Sequence, residues 1–269
     1  MNLDSYFERI GYRSTPRADI GTLRELHLKH PCTIPFENLS TLLGEAVPLT
    51  IEALDDKLVR RRRGGYCFEQ NTLFAYVLTA IGFEVTPLAA RVVWNPAYLN
   101  PRTHMALLVE LAGQRWLCDV GFGGATQTAP LALTVDAEQL TPHEKFRLAA
   151  IGAEFELQIQ LQDQWRPVYR FDLQPQQPID FEAMNFYVTT HPDSHFLRVL
   201  IAGRADSSGR FALSGNLLVR YESGIAVAEE PIRSPDRLKS VLANEFQITL
   251  PKHAALDSLL TSITSPPDM

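Results

Sequence analysis

The chain contains 269 residues, of which 45% are hydrophobic and 21% are charged, and it carries a formal net charge of −6. These proportions are ordinary for a soluble globular protein, and the acidic balance argues against nucleic acid or an anionic membrane surface as its partner. Because the length exceeds that of most single hydrophobic cores, two or three subdomains that share an interface are expected.

The cellular compartment is predicted from the cysteines, from the lack of a membrane-spanning stretch and from the lack of a signal-peptide pattern. No stretch approaches the ~18 consecutive apolar residues of a membrane-spanning helix, and the polar segment Met1–Ser5 is not expected to begin a signal peptide. The three cysteines are odd in number and widely spaced, which suits free thiols in a reducing compartment. We therefore predict a cytoplasmic protein.

The first 82 residues are predicted to be mostly helical. Amphipathic spacing predicts four helices here, at Leu3–Ile10, at Ile20–His30, from Thr50 onward and at Cys67–Ile81. Pro31 is expected to end the second helix and Gly82 the fourth. The segment Pro35–Leu39, between the second and third helices, is predicted to be irregular.

From Phe83 the pattern becomes that of short strands. Segments rich in Val and Leu, separated by Gly, Pro and Asn, predict strands at Glu84–Trp94, Thr103–Leu111, Gln114–Val120 and Phe155–Gln160. They indicate an antiparallel sheet or a small barrel that extends to about residue 185.

The last part of the chain mixes the two kinds of element. Strands are predicted at Phe196–Ala202 and Arg210–Glu222, and helices from Ser234 to about Phe246 and over His253–Ile263. The tail Ser265–Met269 is expected to fray.

Cys67 is the strongest candidate for a nucleophile. It stands at the predicted start of a helix, where roughly half a positive charge and unpaired N–H groups favour the thiolate. Gly64 and Gly65 shortly before it permit close approaches that a side chain would block. Cys32 and Cys118 lack this setting and are interpreted as small buried hydrophobic residues.

A nucleophilic cysteine needs a base, and the base needs a partner that fixes its tautomer. His104 and Asp119 flank a predicted hairpin turn at Leu111–Gly113, and opposed residues of a hairpin have a constant index sum. A sum of 223 places the two side chains opposite each other, and a sum of 225 places them diagonally on one face. A sum of 224 would place them on opposite faces and exclude the pair.

Other polar clusters have weaker claims. His191 and His195 flank a turn and the cysteines lack C-x-x-C spacing, so neither a histidine metal pair nor structural zinc is expected. The basic run Arg60–Arg63 is interpreted as a solvated helix end, with local phosphate contact as the alternative.

The segment Val120–Gly124 follows Asp119 directly and contains three glycines, Gly121, Gly123 and Gly124. Glycines at this density end a strand and let backbone approach a ligand closely. A flexible turn is the simpler interpretation, but the position next to the candidate acid favours a wall of the active site. Its amides are candidates for contact with a phosphate-bearing donor.

These motifs together resemble those of arylamine N-acetyltransferases. The matching segments are Pro35–Leu39, Arg63–Cys67, His104 within a strand, Asp119–Gly123 and, in the last third of the chain, Phe186–Tyr187 and Thr190–Phe196. Their order and approximate spacing agree with the family, and so does the overall length. Tyr66 stands where members often have tryptophan, which is interpreted as a tolerated aromatic exchange.

The resemblance implies an α+β fold of three parts. These would be an N-terminal helical bundle over residues 1–82, a central antiparallel β-barrel over 83–185 and a C-terminal α/β lid over 186–269. The core would be like that of cysteine proteases, with Cys67, His104 and Asp119 as the triad.

The resemblance also implies the reaction. Acetyl-coenzyme A would acetylate Cys67, and an arylamine or arylhydrazine would then take the acetyl group, without a metal. Phe36, Val92 or Val93, and Phe122 would line the acceptor pocket, while Arg63 and Glu37 would form a buried ion pair near the nucleophile.

Two other classes of function use the same residues differently. A cysteine amidase or peptidase would use the same triad, although the papain-like signature around the nucleophile is absent. A non-catalytic binding module would show no selective reaction at Cys67. The residues leave propionyl and malonyl thioesters open as donors beside the acetyl thioester, and they do not identify the natural acceptor.

Overall fold

The computed structural model describes residues 1–95, 97 and 99–265. In this part of the chain a bundle of helices leads into an eight-stranded antiparallel sheet and then into a five-stranded sheet flanked by helices. This is the α+β arrangement that the resemblance implies. None of the helices in these ranges is long and apolar enough to cross a membrane. Beyond Ser265, the tail that was expected to fray lies outside the described residues.

The N-terminal helices are α1 (Leu3–Ile10), α2 (Ile20–Thr33), α3 (Leu39–Leu42), α4 (Ile51–Leu54) and α5 (Cys67–Ile81). The predictions of α1 and α5 are confirmed, and each helix ends at a glycine in the left-handed conformation. The helix predicted from Thr50 is confirmed as α4, whose axis continues as a π-helix over Asp55–Arg60.

The prediction that Pro31 ends the second helix is wrong. α2 continues through Pro31 to Thr33, and the Ile34 N–H donates to the His30 carbonyl at 2.8 Å. Pro31 lies in the last turn of α2, where proline removes one hydrogen bond, to the carbonyl of His27, and crowds that same carbonyl with its ring. The helix therefore survives, and the His27 carbonyl loses its usual helical donor.

The segment Pro35–Leu39 is not wholly irregular, because it contains the short strand β1 (Phe36–Glu37). This strand pairs antiparallel with β10 (Ile201–Ala205), and the Glu37 N–H donates to the Gly65 carbonyl at 3.1 Å. β1 therefore joins the loop before α5 to the C-terminal sheet. A two-residue strand with so distant a partner has no local sequence signature.

The larger sheet has the strand order β5-β4-β3-β2-β9-β8-β7-β6. Its strands are β2 (Glu84–Val92), β3 (His104–Leu111), β4 (Gln114–Cys118), β5 (Leu131–Ala132), β6 (Gln139–Leu140), β7 (Lys145–Ile151), β8 (Glu154–Leu161) and β9 (Gln164–Pro175). The four strands predicted here are confirmed, with ends that differ by up to two residues.

The two edge strands of this sheet meet through a side chain. The Ala132 N–H of β5 donates to Gln139 Oε1 at 2.7 Å, and Gln139 Nε2 donates to the Ala132 carbonyl at 2.9 Å. The glutamine amide thus replaces a pair of backbone hydrogen bonds between the edges. This bridge closes the sheet toward a barrel and protects both edges.

The C-terminal elements are α6 (Pro178–Thr190), β10, β11 (Arg210–Ser214), β12 (Leu217–Glu222), β13 (Ile225–Pro231), α7 (Pro235–Asn244) and α8 (Leu256–Thr264). Two strand predictions need correction. Phe196–Ala202 begins as a turn of 3₁₀ helix, and β10 starts only at Ile201. Arg210–Glu222 is a hairpin of two strands that turns at Gly215, whose φ is +59°.

The predicted division at residues 82 and 185 stays a prediction. Residue 185 lies inside α6, whose Phe181 and Val188 pack in the same core as the N-terminal helices. Within α6, Asn185 also accepts a hydrogen bond from the Tyr66 hydroxyl. Helix α6 therefore belongs to the surroundings of the nucleophile.

Strand β3 separates two hydrophobic cores. Its odd-numbered residues, such as Leu107, pack against the helices, and its even-numbered residues, such as Ala106, pack inside the barrel. A third core lies between the five-stranded sheet and helices α7 and α8. His104 begins β3, so its parity places it on the barrel face, at the strand end that α5 approaches.

Candidate active site

The loop before Cys67 requires two glycines for reasons of space. A Cβ on Gly64 would lie 2.2 Å from the Pro35 carbonyl oxygen, and a Cβ on Gly65 would lie 2.6 Å from a carboxylate oxygen of Glu69. Neither contact is sterically possible. The glycines thus let the chain turn tightly into α5 and place Cys67, which is buried, at the first position of the helix.

A buried ion pair fixes the start of α5. Glu69 accepts a hydrogen bond from the Tyr66 N–H at 3.1 Å and another from Lys57 Nζ at 2.7 Å. Burial raises the pKa of Glu69, and the ammonium of Lys57 opposes that rise. Because Lys57 belongs to the π-helix, this pair connects that unusual turn to the residue before the nucleophile.

The basic run is divided among acidic partners. Arg63 lies 2.8 Å from the Glu37 carboxylate in a fully buried pair, as the resemblance implied. The largely exposed Arg60 pairs with Asp55, which is buried, and Arg61 pairs with Asp56 at the surface. These contacts favour the interpretation of a solvated helix end for the first two arginines and a structural role for Arg63.

The hairpin has the index sum of 225, since Leu107 opposes Cys118 and Leu108 opposes Leu117. This is the diagonal register compatible with a pair on one face. His104 Nε2 lies 2.8 Å from Asp119 Oδ2, and both side chains are buried. The other carboxylate oxygen accepts from Asn71 Nδ2 and from the Gly121 N–H, each at 2.8 Å.

The electrostatics favour an ionised pair. Burial lowers the pKa of His104, but the negative charge of Asp119, its hydrogen bond and the neighbouring Cys67 outweigh burial and raise the pKa to about 10. Burial acts to raise the pKa of Asp119, while His104, Asn71 and Gly121 hold it below the ordinary value. At neutral pH the imidazole is therefore protonated beside a carboxylate.

The thiol of Cys67 lies beside this pair. As a neutral thiol it donates to the Thr103 carbonyl, with Sγ 3.6 Å from the oxygen, and as a thiolate it would face the His104 imidazolium. The other two thiols differ. Burial raises the pKa of Cys32 to about 11 and that of Cys118 well above its usual range, so both are protonated at pH 7.

The glycine-rich segment packs against the nucleophile. A Cβ on Gly121 would lie 2.9 Å from the Cys67 Cα, so only glycine permits this approach. The amide of Gly121 donates to Asp119 and that of Gly123 to Thr126 Oγ1 at 2.7 Å. Among the three predicted donor-binding glycines, Gly124 alone has an amide without a partner in the described part of the chain.

Aromatic rings form the other side of the site. Phe122 lies edge-on to the His104 ring at 5.3 Å between centroids, and Trp94 lies 6.2 Å from Phe122. Phe36 contacts Phe196 edge-on at 6.0 Å. Of the two valines predicted for this pocket, the alternation of β2 places Val92 on the face of Ala90, which opposes His104, and Val93 lies beyond the strand end.

The structure brings several unpredicted residues to the site. Asn71 could have been found, since it lies one helical turn after Cys67 on the same face. Phe196 belongs to a segment that carries the resemblance, yet nothing in that segment indicates a contact with Phe36. Tyr169, whose ring lies 4.7 Å from that of His104, comes from a strand with no motif.

The described residues contain no cluster of side chains that could bind a metal ion. Over residues 1–95, 97 and 99–265, no group of three His, Cys, Asp or Glu side chains lies together as metal ligands would.

Comparison with known proteins places the chain in a family. A family model described as N-acetyltransferase matches residues 19–255. The arylamine N-acetyltransferase of Escherichia coli is 44% identical over 91% of this chain and 88% of its own length, and that of Mycolicibacterium smegmatis is 43% identical over 96% and 95%. The solved structure of the Mycobacterium marinum arylamine N-acetyltransferase in complex with CoA, 36% identical, covers 97% of this chain and 99% of its own with a TM-score of 0.93. The chain therefore belongs to the arylamine N-acetyltransferase family.

Proposed function

We propose that this chain transfers the acetyl group of acetyl-coenzyme A to arylamines and arylhydrazines through an acetyl-Cys67 intermediate. One observation carries the proposal beyond family membership. The Cys67 thiol lies at a helix start, next to a His104 ring that Asp119 holds at 2.8 Å in its protonated form. A thiolate–imidazolium pair fixed by a buried carboxylate is the arrangement that acyl transfer to sulfur requires.

In the first half-reaction the Cys67 thiolate attacks the carbonyl carbon of the thioester. The negative charge that develops on the carbonyl oxygen needs N–H donors, and the amide of Cys67 itself, in the first turn of α5, is a candidate. The tetrahedral intermediate collapses by breaking the bond to the sulfur of coenzyme A. His104 gives its proton to that leaving thiolate and becomes neutral.

In the second half-reaction the amine attacks the acetyl thioester on Cys67. An aniline-type nitrogen is neutral at pH 7 and keeps its lone pair for attack. As the nitrogen–carbon bond forms, neutral His104 takes the amine proton, and the bond to Cys67 sulfur breaks. The thiolate–imidazolium pair is thereby restored, and Asp119 stabilises the imidazolium in both directions.

The acceptor would bind among the apolar side chains at the mouth of the site. In this proposal Phe36, Val92 and Phe122 line the approach to Cys67. Phe122 lies edge-on to the His104 ring, and Phe36 contacts Phe196, which supports this assignment. Burying one aromatic ring between such side chains contributes about 1.5–3 kcal/mol. The donor would enter beside the glycine-rich segment, where the Gly124 amide is the candidate phosphate contact.

A single-turnover experiment tests the proposal. The chain is mixed with acetyl-, propionyl- or malonyl-coenzyme A in the absence of amine, and released coenzyme A and the mass of the Cys67 peptide are followed. We expect one equivalent of free coenzyme A and an acyl adduct on Cys67 that a later addition of arylamine removes. Cleavage of a peptide or amide reporter without any adduct from the thioesters would instead support the amidase alternative.

A further inference from the structure

The backbone that carries Asp119 is held by side chains rather than by the sheet. Strand β4 ends at Cys118, and within the described residues the three amides that follow have no backbone acceptor. The Asp119 N–H donates to His27 Nε2 at 3.1 Å, the Val120 N–H to Asn71 Oδ1 at 3.1 Å and the Gly121 N–H to Asp119 Oδ1 at 2.8 Å. Buried N–H groups need such acceptors, so these side chains determine the path of the chain.

His27 is the acceptor that comes from outside the recognised motifs. It lies on α2, and its side chain is fully buried. In the sequence it precedes Asp119 by 92 residues. Its ring lies edge-on to Phe74 at 5.7 Å and 90°. Gln127 Nε2, which donates to the Leu117 carbonyl at 2.9 Å, lies 3.5 Å from the same His27 nitrogen.

The protonation state of this histidine follows from its partners. Burial lowers the pKa of His27 to about 3, and the negative charge of Asp119 opposes this effect only in part. Because Nε2 accepts from an amide, the single ring proton must lie on Nδ1. Nδ1 has no hydrogen-bond partner in the described residues.

The two histidines near Asp119 therefore act on it differently. His104 contacts the carboxylate as a cation, whereas His27 contacts the backbone amide of the same residue as a neutral acceptor. Anchoring this amide limits rotation of the Asp119 peptide and so limits where its carboxylate can lie. Without that acceptor the amide would be buried and unpaired, and the chain would move to satisfy it.

We propose that His27 is a positioning residue that holds the Asp119 carboxylate in line with His104 during acyl transfer. The inference rests on the proposed function, since it assigns Asp119 a part in acetylation of Cys67. It predicts that loss of the acceptor at residue 27 slows acylation more than the accompanying loss of stability explains.

Three variants separate positioning from packing. His27→Leu removes the acceptor, His27→Gln keeps an acceptor oxygen at about the position of Nε2, and Phe74→Leu disturbs the same part of the core without touching Asp119. Single-turnover acetylation of Cys67 by acetyl-coenzyme A is measured below each variant's unfolding transition. We expect His27→Leu to slow acetylation about ten- to a hundredfold, as misplacement of a catalytic group does, and His27→Gln to recover most of the rate.

A spectroscopic measurement reads the Asp119–His104 contact directly. Ring nitrogen NMR of the wild-type chain should show His27 neutral with its proton on Nδ1 and His104 protonated near pH 7. In His27→Leu the His104 ring should lose its proton at a lower pH than in the wild-type chain, while Phe74→Leu should leave that titration unchanged. If His27→Leu does not fold, it is replaced by His27→Asn. The shorter side chain of that variant leaves its oxygen out of reach of the Asp119 amide.

The outcomes distinguish the inference from the function on which it rests. Absence of a Cys67 adduct in the wild-type chain would refute the proposed function, whatever His27 does. Normal acetylation of the wild-type chain, with equal effects of His27→Leu and Phe74→Leu on rate and on His104 titration, would refute the positioning role alone. A His27→Gln variant as slow as His27→Leu would also refute it.

Discussion

The site has two walls that are built in different ways. The polar wall consists of His104, Asp119 and Asn71, all fully buried and joined by hydrogen bonds of 2.8 Å. The aromatic wall consists of Phe36, Phe122 and Phe196, whose rings meet His104 or each other edge-on at 5–6 Å between centroids. Directional bonds allow one geometry, whereas edge contacts between rings allow several. Chemistry should therefore depend on the polar wall, and acceptor choice on the aromatic wall.

The largest effect is expected from Asp119→Asn in the polar wall. An amide can hydrogen-bond the ring of His104, but it favours the wrong tautomer and does not stabilise the imidazolium. In the serine-protease triad the same exchange lowers kcat about 10⁴-fold. We expect acetylation of Cys67 to slow by orders of magnitude in a largely folded variant, measured by single-turnover kinetics and circular dichroism. Near-normal acetylation would remove Asp119 from the reaction.

The three thiols offer a test in which exposure and chemistry predict opposite results. Cys32 is more exposed than Cys67, yet burial raises the pKa of Cys32 to about 11. Iodoacetamide at neutral pH should nevertheless modify Cys67 far faster than Cys32 or Cys118, with loss of all activity. Peptide mapping after partial inactivation measures this order, with Cys67→Ser as the control. Label found mainly on Cys32 would show that accessibility, not the site, controls the reaction.

The ion pair that fixes the start of α5, just before Cys67, is tested through Lys57 and Glu69. Removing one partner of a buried ion pair leaves the other charge buried without compensation, which typically costs about 3–5 kcal/mol of stability. Glu69→Gln or Lys57→Met alone should therefore lower the free energy of unfolding more than the double variant does. Denaturant titration measures all three. A double variant as unstable as the sum of the singles would mean that the two charges do not interact.

The aromatic wall is tested by Phe36→Ala and Phe122→Ala. Loss of ring burial should cost about 1–3 kcal/mol, or roughly ten- to a hundredfold in acceptor efficiency. Acetylation of Cys67 should remain nearly intact, because the donor reacts before the acceptor arrives. The two half-reactions are measured separately, together with the melting temperature. If both fall in parallel with stability, the rings fill the core and do not select the acceptor.

The smallest effect concerns the pH dependence of stability. The pKa of His104 in the folded chain is about 10, above its ordinary value of 6.5. The stabilisation from its contact with Asp119 is therefore complete below pH 6.5 and is lost as the pH rises through about 10. The difference in Tm between the wild-type chain and Asp119→Asn should shrink from pH 6 to pH 10. A constant difference over this range would show that His104 is not protonated in the folded chain.

Predictions from local pattern succeeded where the determinants are close in sequence. Helix α5 and the hairpin of β3 and β4 depend on residues within a turn or a few positions of each other, so spacing and turn residues locate them. The sequence located this hairpin but left its register open, and the structure has the index sum of 225, which places His104 and Asp119 on one face. The two failures have different causes. β1 forms because the distant strand β10 supplies its partner, whereas α2 continues past Pro31 because proline in the last turn of a helix removes a single helical hydrogen bond.

Residue types and their spacing suffice to select a cysteine at a helix start, a histidine and an aspartate that flank one hairpin turn, and a family whose motifs they share. These relations are local, because they join residues that are close together in the sequence. The neutral His27 behind Asp119, the Lys57–Glu69 pair beneath Tyr66 and the ring of Tyr169 on His104 arise only when helices and strands pack. Such contacts join residues far apart in the chain, and their geometry depends on packing that no local pattern encodes.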